Sequence, residues 1–75
     1  MTVTVKVHAA LRKFAEGGQA ELKLDEGASA RDAARALGIP EGHVGAVFVG
    51  SDRCELDTAL TDGAELNFFA PLGGG

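Results

Sequence analysis

The feature that most constrains this chain is a period-two alternation of apolar residues that returns along its length. Val3, Val5 and Val7 alternate with Thr2, Thr4, Lys6 and His8, and β-branched residues at that spacing specify a strand with one buried face. A first strand is expected over residues 2–9. Ala20-Glu21-Leu22-Lys23-Leu24 alternates again, so a second strand should pair back on the first with Leu22 and Leu24 facing the valines. A third is expected over residues 44–49, with Val47 and Val49 on one face and Ala46 and Phe48 on the other; pattern alone leaves the face of Phe48 open. Gly50-Ser51-Asp52 reads as a turn and Glu55-Leu56 as a short edge strand, with Leu60 filling the core from the loop that follows. After a turn at Asp62-Gly63, Glu65-Leu66-Asn67-Phe68-Phe69 forms the last strand, Leu66 and Phe68 inward and Phe69 outward.

One segment has the other period. Asp25-Glu26-Gly27 turns the chain, and Ser29 with Asp32 three residues on makes a capping box, the carboxylate also favoured by the positive end of the helix dipole. The helix that starts there should bury Ala30, Ala33, Ala34 and Leu37, wet Arg31 and Arg35, and stop at Gly38 before Pro40. Leu37 and Ile39 are its expected hydrophobic anchors. Residues 10–15 allow one helical turn with Leu11 and Phe14 inward, ended by a loop at Gly17-Gly18. The order of hairpin, helix and further strands, with a right-handed crossover through the helix, predicts an α+β fold in which one mixed sheet packs against one main helix.

A chain of 75 residues makes one small domain that buries only about 60% of the surface its unfolded form exposes. A deep active site has little room. Hydrophobic residues at 45% and charged residues at 24% suit a folded, soluble domain, and no stretch approaches the ~20 apolar residues of a membrane span. The opening residues lack the basic start of a signal peptide, so a cytoplasmic location is the default expectation. The net charge of −4 and the absence of Trp and Tyr disfavour nucleic acid. Cys54, the single cysteine, can form no internal disulfide, and with His8 and His43 gives no zinc-ligand spacing. Neither histidine is spaced to pair with a Ser or Cys nucleophile. Asp52, Glu55, Asp57, Asp62 and Glu65 read first as a solvated negative face. No catalytic or metal site is expected within the chain.

What remains is the end, Phe68-Phe69-Ala70-Pro71-Leu72-Gly73-Gly74-Gly75. Three terminal glycines have no side chain to bury and are expected to form a mobile tail over residues 71–75, beyond a domain of residues 1–70. Such a backbone is thin enough to thread a channel in another protein and present its carboxylate there, reaching roughly 16–18 Å from Pro71 at 3.3–3.6 Å per residue. On composition alone an inert glycine end is an equal reading. A carboxylate is a poor electrophile, so a reaction at Gly75 requires activation, as in a mixed anhydride with AMP made by a separate ATP-using enzyme. The outward Phe69 beside that tail, with Pro71 and Leu72, is the expected foothold for a partner.

Lys6-Val7-His8-Ala9-Ala10-Leu11-Arg12, Leu24-Asp25-Glu26-Gly27-Ala28-Ser29, Leu37-Gly38-Ile39-Pro40, Asp57-Thr58-Ala59-Leu60-Thr61-Asp62-Gly63 and the strand ending in Gly73-Gly74-Gly75 together resemble the ubiquitin-like, β-grasp sulfur carriers of the MoaD/ThiS type. Within that type the chain is most similar to the small subunits of molybdopterin synthase. The resemblance implies a β-grasp fold and a non-catalytic carrier that binds no cofactor itself. An adenylating enzyme would use ATP to activate Gly75, with Gly73 and Gly74 as threading residues, and a persulfide sulfur would displace AMP to leave a thiocarboxylate. The implied acceptor is the large subunit of molybdopterin synthase; thiazole synthase, another sulfur-transfer enzyme, or a lysine of a modified protein are the alternatives. The chain departs from the molybdopterin pattern at His8, where Phe is usual, and at Gly50, Ala64 and Ala70.

Overall fold

The computed structural model describes residues 1–71. Five strands form one sheet: β1 (Thr2–Val7), β2 (Gln19–Lys23), β3 (Ala46–Val49), β4 (Asp52–Cys54) and β5 (Glu65–Phe69), in the order β2-β1-β5-β3-β4. Among the described residues the one α-helix, α1, spans Ala30–Leu37. The sheet is mixed, because β5 runs parallel to β1 and antiparallel to β3, while β1–β2 and β3–β4 are antiparallel hairpins. This is the α+β, β-grasp arrangement that the resemblance implied.

The core lies where the alternation places it. Val3, Val5, Val7, Leu66 and Phe68 are almost wholly buried on one face of the sheet, and Ala30, Ala33 and Ala34 of α1 belong to the same cluster. Leu22 sits opposite Val3 in the β1–β2 register and, with Leu24, packs half-buried against that core. Leu11 and Leu60 are buried in it from the connections, and Phe14 is half-buried at its edge.

Three expected details are corrected. The first strand ends at Val7 rather than residue 9, because Ala9 takes a φ of 53° and starts a 3₁₀ stretch, Ala9–Phe14. The fourth strand is Asp52–Cys54 and not Glu55-Leu56: the positive φ of Gly50 turns the chain so tightly that pairing resumes at once, Val49 opposite Asp52. Leu56 instead gives its carbonyl to the N–H of Arg31 at 2.9 Å. Of the two expected helix anchors only Ile39 is buried; Leu37, in the last turn of α1, is half-exposed.

The capping box is present. Ser29 N–H donates to Asp32 Oδ2 at 2.8 Å, and Asp32 N–H to Ser29 Oγ at 3.4 Å. Ala30 N–H donates to Thr58 O at 3.1 Å and Arg31 N–H to Leu56 O, so the first amides of α1, which no helical carbonyl can reach, find acceptors in the cap and in the 56–58 loop. Gly38 ends the helix with φ 79°.

Candidate functional site

Strand β5 is the central strand, and its alternation divides two neighbouring aromatic rings between opposite faces. Phe68 is fully buried against the helix side, whereas Phe69 is 36% exposed on the other. The parallel register sets Lys6 beside Asn67 and Val7 beside Phe68, which carries His8 alongside Phe69. There the His8 imidazole stacks on the Phe69 ring at 4.4 Å and 7°, and its Nε2 lies 3.0 Å from Asn67 Oδ1. On the other flank the Phe48 ring meets Phe69 edge-on at 5.6 Å. Phe48 therefore belongs to the face of the sheet turned away from α1. Phe69 points outward as expected, but one ring face is covered by His8 and one edge by Phe48.

Around this patch the chain leaves the sheet. Gly45 N–H donates to Phe69 O at 2.7 Å, and Ala46 pairs with Phe69. Ala70 and Pro71 then cross the start of β3 so closely that a Cβ on Gly45 would lie 2.5 Å from Pro71 Cα. A shallow groove of about 560 Å³ opens here, lined by Ala9, Gly45, Ala46, Arg53, Phe69, Ala70 and Pro71. Pro71 is exposed. Leu72, Gly73, Gly74 and Gly75 lie outside the described residues.

The remaining candidate residues do not line this groove. His43 meets the Phe14 ring edge-on at 6.3 Å. Cys54 is half-buried on β4. Of the carboxylates, Asp57 accepts from Arg31 together with Glu41, Glu65 lies 3.0 Å from Lys6 Nζ, and Asp62 accepts the Thr2 N–H, while Asp52 and Glu55 are exposed. The Asp57 hydrogen bond, then that of Glu41, holds the Arg31 guanidinium charged above its ordinary range. Among the described residues no three His, Cys, Asp or Glu side chains converge as a metal cage, and no helix is long and apolar enough to cross a membrane.

Sequence reading named Phe69 and Pro71, which the structure brings to one groove, and did not name Gly45, His8 or Phe48 beside them. Alternation does put His8 outward on β1, but that it stands beside Phe69 depends on a pairing between strands about sixty residues apart, which no local pattern encodes.

The ThiS family profile matches residues 5–75, so the chain belongs to that family. Among solved structures, a protein of Pyrococcus furiosus provisionally assigned as molybdopterin converting factor, subunit 1, is 26% identical, with 96% of this chain and 99% of that one covered and a TM-score of 0.76. Small archaeal modifier protein 1 of Haloferax volcanii is 22% identical over 95% of this chain and 98% of its own, with a TM-score of 0.77; at that identity the likeness speaks for the shared fold. No curated protein matches. The chain is thus a small ubiquitin-like protein of the ThiS/MoaD type.

Proposed function

We propose that the chain is a sulfur carrier whose terminal glycine, Gly75, is adenylated and then converted to a thiocarboxylate that donates sulfur in molybdopterin biosynthesis. The observation that carries this reading is the family match extending from Val5 to Gly75, through the terminal glycines. The choice of molybdopterin over thiazole as the destination is supported by the assigned role of the Pyrococcus furiosus protein.

The chemistry belongs to the partners and the electrophile to this chain. A Gly75 carboxylate oxygen attacks the α-phosphorus of ATP in an adenylating enzyme; pyrophosphate leaves and an acyl-adenylate remains. The terminal sulfur of a persulfide attacks the acyl carbon and AMP leaves with the electron pair of its C–O bond. The product is an acyl disulfide. A second thiol attacks the donor's sulfur of that disulfide, becomes disulfide-bonded to the donor, and releases the thiocarboxylate on Gly75. In the large subunit of molybdopterin synthase that sulfur acts as nucleophile. The carrier itself binds no cofactor, and the setting is the cytoplasm.

The patch of Phe69, with Pro71 and Leu72, is the surface that the activating enzyme and the sulfur acceptor would cover. Gly73 and Gly74 would thread the enzyme's channel because glycine leaves the narrowest backbone.

Intact-mass measurement tests the reading. After incubation with ATP, the adenylating enzyme of the same organism and a persulfide donor, one oxygen should be replaced by sulfur. An unchanged mass, with that enzyme shown active on another carrier, defeats the proposal. Linkage of Gly75 to lysines would make the chain a modifier instead.

A further inference from the structure

We infer that Gly45 is a positioning residue for the carboxyl terminus: its missing side chain lets Ala70 and Pro71 lie directly on the start of β3, and so fixes the direction in which the chain leaves the sheet. The inference rests on the carrier reading above.

Six glycines of the described chain (positions 17, 18, 27, 38, 50 and 63) have a positive φ, which explains glycine there by backbone conformation. Gly45 does not. What excludes a side chain is space, since a Cβ would stand 2.5 Å from Pro71 Cα, 2.6 Å from Pro71 N and 2.9 Å from the Ala70 carbonyl carbon. These are backbone atoms, so no rotamer change can relieve the overlap. An ordinary contact begins at 3.4 Å, which asks for a displacement of roughly 1 Å.

Strand β3 is the side that holds. It is hydrogen-bonded to β4 along one edge and to β5 along the other, and Gly45 N–H is itself tied to Phe69 O. Ala70 and Pro71 lie past the last ladder pair, Ala46 with Phe69, so the exit segment is the side that moves. Pro71 fixes its own φ and keeps Ala70 extended. The displacement therefore falls on Pro71, the point from which the terminal residues set out.

For a terminus that must reach a reacting phosphorus atom, a misplacement of about 1 Å can cost about a hundredfold in rate. Phe69, held in the β3–β5 ladder, keeps its place, and of the foothold Pro71 moves. The expected signature of Gly45→Ala is a turnover number lowered about ten- to a hundredfold, with KM changed by a smaller factor.

The control is Gly42→Ala, the same chemical change at an exposed position where a Cβ would meet nothing within 4 Å. ATP–pyrophosphate exchange by the adenylating enzyme of the same organism, titrated with each full-length chain, separates turnover from KM. Amide spectra of the Gly45→Ala chain should show shifts confined to the start of β3 and the 69–71 segment. If Gly45→Ala unfolds, Pro71→Gly keeps those backbone atoms but frees the φ that proline fixes, loosening the same exit direction, and should lower turnover alike. Gly45→Ala turning over like Gly42→Ala, or Pro71→Gly turning over like the unaltered chain, overturns the inference. An unaltered chain that supports no exchange overturns the carrier reading itself.

Discussion

At Phe69 one ring face is already occupied by His8 and one edge by Phe48, so truncating it removes packing within the chain as well as contact to a partner. Aromatic pairs of this kind contribute about 0.5–1.5 kcal/mol beyond burial, whereas an aromatic anchor at the centre of an interface often costs about 2 kcal/mol or more, roughly thirtyfold in affinity. Phe69→Ala should therefore weaken binding to the adenylating enzyme or the sulfur acceptor while the domain stays folded. Phe68→Ala, which empties a fully buried site, should destabilise the domain by about 3–5 kcal/mol. Partner titration and chemical denaturation of both variants decide the matter, and an exchange of the two phenotypes would reverse the assigned roles. The inward and outward assignment of these two rings was legible in the alternation of Glu65 through Phe69, since side-chain direction in a strand is local. That His8 and Phe48 flank Phe69 was not, since neighbours across strands are set by the register of the whole sheet.

The helix was the most legible element, because its cap is written in four consecutive residues. Ser29→Ala should cost about 0.5–2 kcal/mol of stability, read from the denaturation midpoint. Asp32 adds a pH dependence. The Ser29 N–H bond to its carboxylate lowers the folded pKa below 3.8, so its stabilisation is present above that value and is lost as pH falls through the folded pKa. An Asp32→Asn chain should be less stable than the unaltered one at neutral pH, and the gap should close on acidification through the carboxylate range; a gap independent of pH would assign the effect to something other than the charge. The end of the helix was less legible. Leu37 fits the apolar stripe but falls in the last turn, where the chain lifts away at Gly38, and Ile39 turns back into the core, its N–H bonded to Ala34 O at 2.9 Å. Ile39→Ala should cost about 2–5 kcal/mol and Leu37→Ala distinctly less, as denaturation curves of the pair will show. Edge strand β4 was misread for a related reason: three residues carry too little pattern, and Gly50 decided where pairing resumed.

Across the whole molecule the fold class could be read because four alternating segments and one capped helix leave few ways to bury every apolar face. The order of strands could not, since it is a property of pairs. The candidate site lies where β5 ends, whereas the Arg31 ion pairs tie α1 to Glu41 and Asp57. A chain lacking Gly74 and Gly75 should accordingly lose adenylation while its melting temperature stays close to that of the full chain, as terminal glycines contribute little to packing. A large fall in melting temperature would show that the terminus is part of the folded core.

The central place of β5 also governs how the domain forms. Without it the sheet is two separate hairpins, β1–β2 and β3–β4, and β5 alone joins them. Its partner β1 lies about sixty residues away, Thr4 opposite Glu65, so the joining step must overcome the entropy of closing a long loop before any contact rewards it. Until then β1 and β3 each present an unpaired edge, open to other chains. Folding should thus be limited by the arrival of the last strand, and substitutions that weaken β5 should raise aggregation during refolding more than equally destabilising changes in α1.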